Sequence, residues 1–244
     1  MLEAVLADRD GRSIPDIARD IGMPRATAHR QVATLVGEQF LVRLPGGRLG
    51  PGARLLAMLR QVDAKQVIVG AAAPVLHRLA ARLRCVVQLG TLENEMVTYR
   101  IKTGQGAGDF FTRVGLQLEA YCTGIGKVLL AHLPESEREA YLATGPFPAL
   151  TRGTITDPDS LRVELARVRE QGFARDDEEI AEGLVCVAVP VRSGDGSVQA
   201  AISISGAAHT RPDPTGATVL KLLLEAAAQI EGAIDGTAIS RPCR

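Results

Sequence analysis

Apolar residues return at helical spacing twice in quick succession near the start of the chain. Ile14, Ile17, Ala18 and Ile21 form one stripe, and Ala28, Val32, Leu35 and Val36 form another, each repeating every three or four residues. Before them, Leu2, Val5 and Leu6 predict a short amphipathic helix that ends at Asp10-Gly11. Ser13 is placed to cap the second helix, and Pro15 and Asp16 suit its first turn. Gly22 allows the tight turn, and Pro24 opens the third helix. The pattern then changes to a strand at 40–43, a turn at Leu44-Pro45-Gly46-Gly47 and a return strand from Arg48-Leu49. Two helices joined by a tight turn and followed by a hairpin predict a winged helix-turn-helix over residues 1–52.

Pro51-Gly52 ends the wing, and residues 53–69 predict one linker helix with Leu55, Leu56, Leu59, Val62 and Val67 as its apolar positions. So much apolar surface needs a partner, either the same chain or the same helix of a second subunit. From 70 to 244 helices and strands alternate. Helices are predicted at 73–83, 124–133, 135–143, 158–171 and 215–234, with Asp157 capping the fourth. Strands are predicted at 85–89, 96–101 and 110–114, and 184–191 with 198–205 form a hairpin over Ser193-Gly194-Asp195-Gly196. Several strand pairs read as antiparallel, which makes this an α+β domain: an antiparallel sheet flanked by helices.

Composition narrows the picture. The chain has 244 residues, 46 % hydrophobic and 23 % charged, long enough for two ordinary domains with a core that needs neither disulfide nor metal. With 3 % aromatics and no Trp, a stacking platform for single-stranded nucleic acid is excluded. Formal net charge is +0, so any nucleic-acid contact must come from a local patch. No apolar run reaches the roughly 18 residues of a membrane span, and the N-terminus lacks the pattern of a signal peptide. A cytoplasmic protein without membrane contact is expected. Cys85, Cys122, Cys186 and Cys243 are scattered and read as reduced thiols.

The third helix turns Ala26, Thr27, Arg30, Ala33 and Thr34 away from its apolar stripe, with Arg25 and His29 on its flanks. Small residues beside basic ones keep that surface low enough to approach a duplex, as a recognition helix in the major groove must. Between residues 24 and 60 the basic side chains are Arg25, Arg30, Arg43, Arg48, Arg54 and Arg60, and the only acid is Glu38. That local excess is an electrostatic footprint for DNA phosphates.

These residues resemble a known family. Ile17-Ala18, the run from Gly22 to Arg30, Leu35, Phe40-Leu41 and Gly47-Arg48-Leu49-Gly50 look like the DNA-binding domain of IclR-type bacterial transcription regulators. The wing is about two residues shorter than is usual there. Farther on, residues 114–131, the Thr151/Thr154/Asp157 region with Leu161, residues 172–191 and 200–206 resemble the effector-binding domain of the same family, which is similar to GAF-like sensor folds. The resemblance implies major-groove contacts from Arg25, Ala26, Thr27, His29 and Arg30, and wing contacts from Arg43 and Arg48. It implies a dimer or tetramer on double-stranded operator DNA, and a small organic acid as effector, with no cofactor.

A ligand site is also legible from the residues. Thr123-Gly124-Ile125-Gly126 opens a helix, whose free N–H groups suit a carboxylate. Ser203 and Ser205 lie two apart on a strand and share a face, which is either a site or an ordinary solvated face. Cys186 alone reads as a small buried apolar residue. The resemblance implies a pocket lined by Leu118, Gly124, Ile125, Asp176, Leu184, Cys186, Ala188, Ser203 and Ser205, with Asp176 accepting from a ligand hydroxyl or a neighbouring N–H. Glu119 stands where the family usually has Pro, and Tyr121 where it often has His. A carboxylate at 119 would repel anions if it faced the pocket, and would be indifferent on the rim.

An enzyme is the rival reading. The four histidines, His29, His77, His132 and His209, belong to no nucleophile signature or metal-ligand spacing, so no catalytic or metal residue is expected. A second rival is a DNA-binding domain fused to a purely oligomerising one, for which the pocket residues would be accidental.

Overall fold

The computed structural model describes residues 1–8, 10–61, 64–106, 108, 111–208 and 213–236. The chain divides into two compact units, Met1–Asp63 and Ala64–Arg244. His209 and Cys243 lie outside the described residues.

In the first unit α1 (Leu2–Ala7), α2 (Ile14–Asp20) and α3 (Arg25–Gly37) precede a two-stranded antiparallel wing, β1 (Leu41–Arg43) and β2 (Leu49–Pro51), and then α4 (Ala53–Gln61). The Ser13 hydroxyl caps α2 by accepting from the Asp16 N–H. Gly22 sits at φ +65°, a left-handed conformation that a Cβ makes costly. Gly52 is needed for a different reason: a Cβ there would lie 2.1 Å from the Gln39 carbonyl oxygen. Val5, Ile17 and Leu41 form the core, with Met1, Leu2, Leu35, Val36 and Leu49 packed around them.

The second unit runs α5 (Ala64–Leu83), β3 (Val86–Glu93), β4 (Met96–Thr103), β5 (Gln117–Glu119), α6 (Gly124–Ala131), α7 (Glu135–Leu142), α8 (Pro158–Gln171), β6 (Ala174–Asp177), β7 (Leu184–Arg192), β8 (Val198–Ala207) and α9 (Ala217–Ile234). Its six-stranded sheet has the order β5-β4-β3-β8-β7-β6, and every pairing is antiparallel. Alternation along the strands splits the sheet into two faces. Val87, Leu89, Val187, Val189, Ile202 and Ile204 pack with α5 and α9. The opposite face carries Gln88, Asp176, Cys186, Ala188, Ala201, Ser203 and Ser205, alternating with those residues along the same strands, and Ala188 and Ala201 there pack with α6 and α8.

Three expectations change. The helix predicted at 73–83 begins at Ala64 and carries Pro74 in its interior, so Gly70 and Pro74 did not break it. Residues 53–69 are observed as α4 and the start of α5, with Val62 outside the described residues. The strand predicted at 110–114 is absent at 111–114, which is irregular chain, and Phe110 lies outside the described residues. β5 begins at Gln117 instead and pairs Val97 with Leu118. No described helix is long and apolar enough to cross a membrane.

Candidate functional site

The outward face of α3 is open. Arg25, Ala26, His29 and Arg30 are exposed, Thr27 is half-buried, and Ala28 and Val32 are fully buried beneath them. Pro24 stands at the N-cap, so Arg25 begins the helix. On the wing Arg43 and Arg48 are exposed, and the Arg48 stem lies over Gly11, where a Cβ would come within 2.6 Å of Nε. The footprint is not uniform. Arg54 pairs with Glu38 at 2.6 Å and lies 5.0 Å over the Phe40 ring. Arg25, Arg30, Arg43 and Arg48 form no ion pair among the described residues, which leaves those four charges free for phosphates and base edges.

In the second unit, one cavity gathers eight of the nine residues expected at a pocket: Leu118, Gly124, Ile125, Asp176, Leu184, Cys186, Ser203 and Ser205. Ala188 is the exception. It is fully buried under α6, and its methyl would stand 3.3 Å from a Cβ at Gly124, so it sets how closely the helix approaches rather than lining the space. Gly126 serves the same approach, since a Cβ there would lie 2.1 Å from the Ala120 carbonyl oxygen. The Thr123 hydroxyl caps α6, accepting from the Gly126 N–H at 3.1 Å and donating to the Glu119 carbonyl at 3.1 Å. Thr123, Gly124 and Ile125, at the capped N-terminus of α6, thus border the cavity, where a helix start suits an anion.

Strand register assembles the polar wall. Asp176 pairs with Cys186, Cys186 with Ser205, and Gln88 with Ser203. Gln88 Nε2 donates to Thr112 Oγ1 at 2.7 Å, and Ser205 Oγ donates to Gln88 Oε1 at 3.1 Å. With its proton committed to Gln88, Ser205 accepts from the Cys186 thiol at 3.1 Å. Ser203 is 2 % exposed and borders the cavity. Among the described residues its hydroxyl makes no hydrogen bond, which suits it to meet a ligand. The space is tight, about 20 Å³, room for about one water molecule; an occupant the size of a benzoate must widen it.

Charge around the cavity is arranged behind the wall. Lys127 of α6 is 1 % exposed and pairs with Glu179 and, at 3.4 Å, with Glu164 of α8. Glu164 also holds Arg167 at 2.7 Å. The loop carrying Glu179 is pinned further by Thr151 and Thr154, whose hydroxyls donate to the Glu178 and Glu179 carbonyls at 2.6 and 2.7 Å. Asp176 Oδ1 accepts the Glu179 N–H at 2.8 Å. Burial pushes the Asp176 carboxyl up to about 7, and the nearby Glu179 carboxylate adds to the shift. Burial likewise pushes the Cys122 thiol up to about 12 and holds Cys186 well above the usual thiol range.

Glu119 is exposed and does not line the cavity. Tyr121 is fully buried, stacks on Phe147 at 4.8 Å and donates to the Pro148 carbonyl at 2.7 Å; it is a core residue. Gln88, Tyr99, Phe111, Thr112, Thr123 and Ile180 also line the cavity, and all but Thr123 escaped the sequence reading. Gln88 carried a usable signal, as the lone polar residue in the apolar run 86–89. Phe111 and Thr112 had none, because only the fold brings their loop over the sheet.

Comparison with known proteins agrees with this architecture. The family model for the IclR helix-turn-helix domain matches residues 2–45, and the model for the bacterial transcriptional regulator IclR C-terminal region matches residues 60–232. The HTH-type transcriptional regulator XynR of Escherichia coli is 33 % identical over 198 residues, 79 % of this chain and 77 % of that protein. The regulator KdgR of the same organism is 30 % identical over 216 residues, 84 % of this chain and 78 % of its own. Among solved structures, an IclR homologue from Microbacterium hydrocarbonoxydans complexed with 4-hydroxybenzoate superposes with a TM-score of 0.65 at 31 % identity, covering 96 % of this chain and 95 % of that one. The Thermotoga maritima IclR gives 0.64 at 28 % identity, covering 97 % and 95 %. With both halves matched, the chain belongs to the IclR family of bacterial transcriptional regulators.

Proposed function

We propose that this regulator holds a small carboxylic acid in the cavity beneath α6 and changes its operator affinity in response. The observation that carries the reading is the convergence of the α6 N-terminus with Ser203, Ser205, Cys186 and Asp176 on one face of the sheet. The α6 amides suit a carboxylate, Ser203 supplies a hydroxyl, and Tyr99, Leu118, Ile125, Ile180 and Leu184 suit an apolar body. The 4-hydroxybenzoate complex of a relative supports an aromatic hydroxy acid as the first compound to try.

Residues 1–52 serve as the DNA-binding part, 53–69 as the linker and 70–244 as the effector part. Arg25, Ala26, Thr27, His29 and Arg30 enter the major groove, and Arg43 and Arg48 approach phosphates or the minor groove from the wing. The working form is a dimer or tetramer in the cytoplasm, since two recognition helices match a two-fold site. Exposed Leu56, Met58 and Leu59 on α4 support burial of that helix against a second copy. The cavity is too tight for the acid, so binding must shift α6 or the loop at 178–183, and that shift is the differential contact by which a ligand biases the DNA-binding state.

Titrating 4-hydroxybenzoate and related acids against the protein on its own promoter DNA tests this reading. Release or tightening by an acid is expected. A protein whose DNA affinity and thermal stability ignore the whole series is an oligomerising fusion and not a sensor.

A further inference from the structure

We propose that Asp176 stands in the pocket as the neutral carboxylic acid and recognises the effector by donating its O–H to an anionic oxygen, a carboxylate or phenolate. The proposal rests on the effector reading above and sharpens it: the ligand is taken up as an anion together with the Asp176 proton.

The surroundings of Asp176 decide its charge. It is 1 % exposed, lies on β6 opposite Cys186, and its backbone nitrogen lies 3.8 Å from where a Cβ on Gly124 would stand. From α6, Lys127 is the one buried cation near it, and that ammonium is engaged by Glu179 and Glu164. From the loop after β6 comes Glu179, whose carboxyl is pushed up by burial and pulled back down by the Lys127 ammonium paired with it, so of the two buried acids it is Glu179 that has a cation at hand. From α8 comes Glu164, which is balanced by Arg167. From β4, β7 and the segment before α6 come Tyr99, Cys186 and Cys122, all kept neutral by burial.

The charges of Lys127, Glu179, Glu164 and Arg167 sum to zero without Asp176. An ionised Asp176 would add a buried charge with no buried cation left to match it among the described residues, a costly state that a carboxyl avoids by keeping its proton. The main-chain N–H of Glu179, 2.8 Å from Oδ1, and that of Ile180 offset part of that cost only. The direction and size of the shift of Asp176, to about 7, agree with this geometry.

A neutral acid facing the α6 amides gives an anion two kinds of donor, N–H and O–H. An ionised Asp176 would repel the same anion. Affinity for an anionic effector therefore falls as pH rises through the pKa, by about tenfold for each unit above it.

Two measurements on the full-length protein test the proposal. Calorimetric titration with 4-hydroxybenzoate at about pH 6 and about pH 8 is expected to show binding weakened roughly tenfold at the higher pH. Asp176→Asn, whose amide also donates, is expected to keep the affinity seen at the lower pH and to lose the pH dependence. Infrared difference spectra of the ligand-free protein, wild type minus Asp176→Asn, are expected to show a protonated-carboxyl C=O stretch at the lower pH that fades at the higher one. Equal or tighter binding at the higher pH, abolished binding in Asp176→Asn at the lower pH, or a missing infrared band would each overturn the proposal. A band present with no binding of the acid at either pH would sink the recognition of such acids by this pocket, while the proton on Asp176 would stand.

Discussion

The two faces of one sheet have been given opposite tasks. Ile202 and Ile204 point to α5 and α9, and their neighbours Ser203 and Ser205 point to α6. On the first face branched side chains interdigitate and close the space. On the second, serine, alanine, cysteine and glycine positions are too small to fill it, so a cavity with polar walls remains under the helix. The same strands thus supply rigidity on one side and a site on the other, and the alternation of residues is what separates them.

That contrast can be broken from either side. The largest expected loss comes from the charge cluster behind the site. Lys127→Met leaves Glu179 buried without its cation, while Glu164 keeps Arg167, and should cost about 3–5 kcal/mol in urea unfolding; the double variant Lys127→Met/Glu179→Leu should recover much of it. On the closed face, Ile202→Ala should cost about 2–4 kcal/mol with little effect on any ligand response. On the open face, Ser203→Ala should cost less than about 1 kcal/mol, because its hydroxyl borders a cavity rather than a packed core. A result in which Ser203→Ala destabilises as much as Ile202→Ala would erase the distinction between the faces. Away from the sheet, Arg30→Ala should weaken binding to the protein's own promoter DNA at least about tenfold, on the order of 1–3 kcal/mol, in a gel-shift assay. Unchanged binding would remove Arg30 from the DNA contact.

The same contrast explains what the sequence disclosed. The winged helix was legible because its signals are local: Ser13 caps, Gly22 turns, and the stripe at Ala28 and Val32 is short-range. The hairpin of β7 and β8 was legible for the same reason. The helix limits expected at 69 and 73 were misplaced, because α5 runs through Gly70 and Pro74 and tertiary packing on the sheet outweighs their local cost. Residues 110–114 read as a strand, but 111–114 are irregular chain that instead brings Phe111 and Thr112 to the cavity. Tyr99 stayed hidden, and the polar signal of Gln88 takes its meaning only from register. Gln88 becomes a pocket residue only when β3 pairs it with Ser203 on β8, a partner more than a hundred residues away. The Ala188 expectation failed by a single layer: its side chain points the right way but supports Gly124 from beneath.

The claim on which the account turns is that the open face is a sensor. It is tested most directly by fluorescence anisotropy of labelled promoter DNA, titrated with a panel of small carboxylic acids, on the wild type and on Ser203→Leu, which leaves no room for a ligand. At least one acid should shift the wild-type DNA affinity by about fivefold or more. Ser203→Leu should show no shift with acid, whatever its DNA affinity without it. A variant that responds like the wild type, or a wild type that responds to none of the acids, would contradict the account.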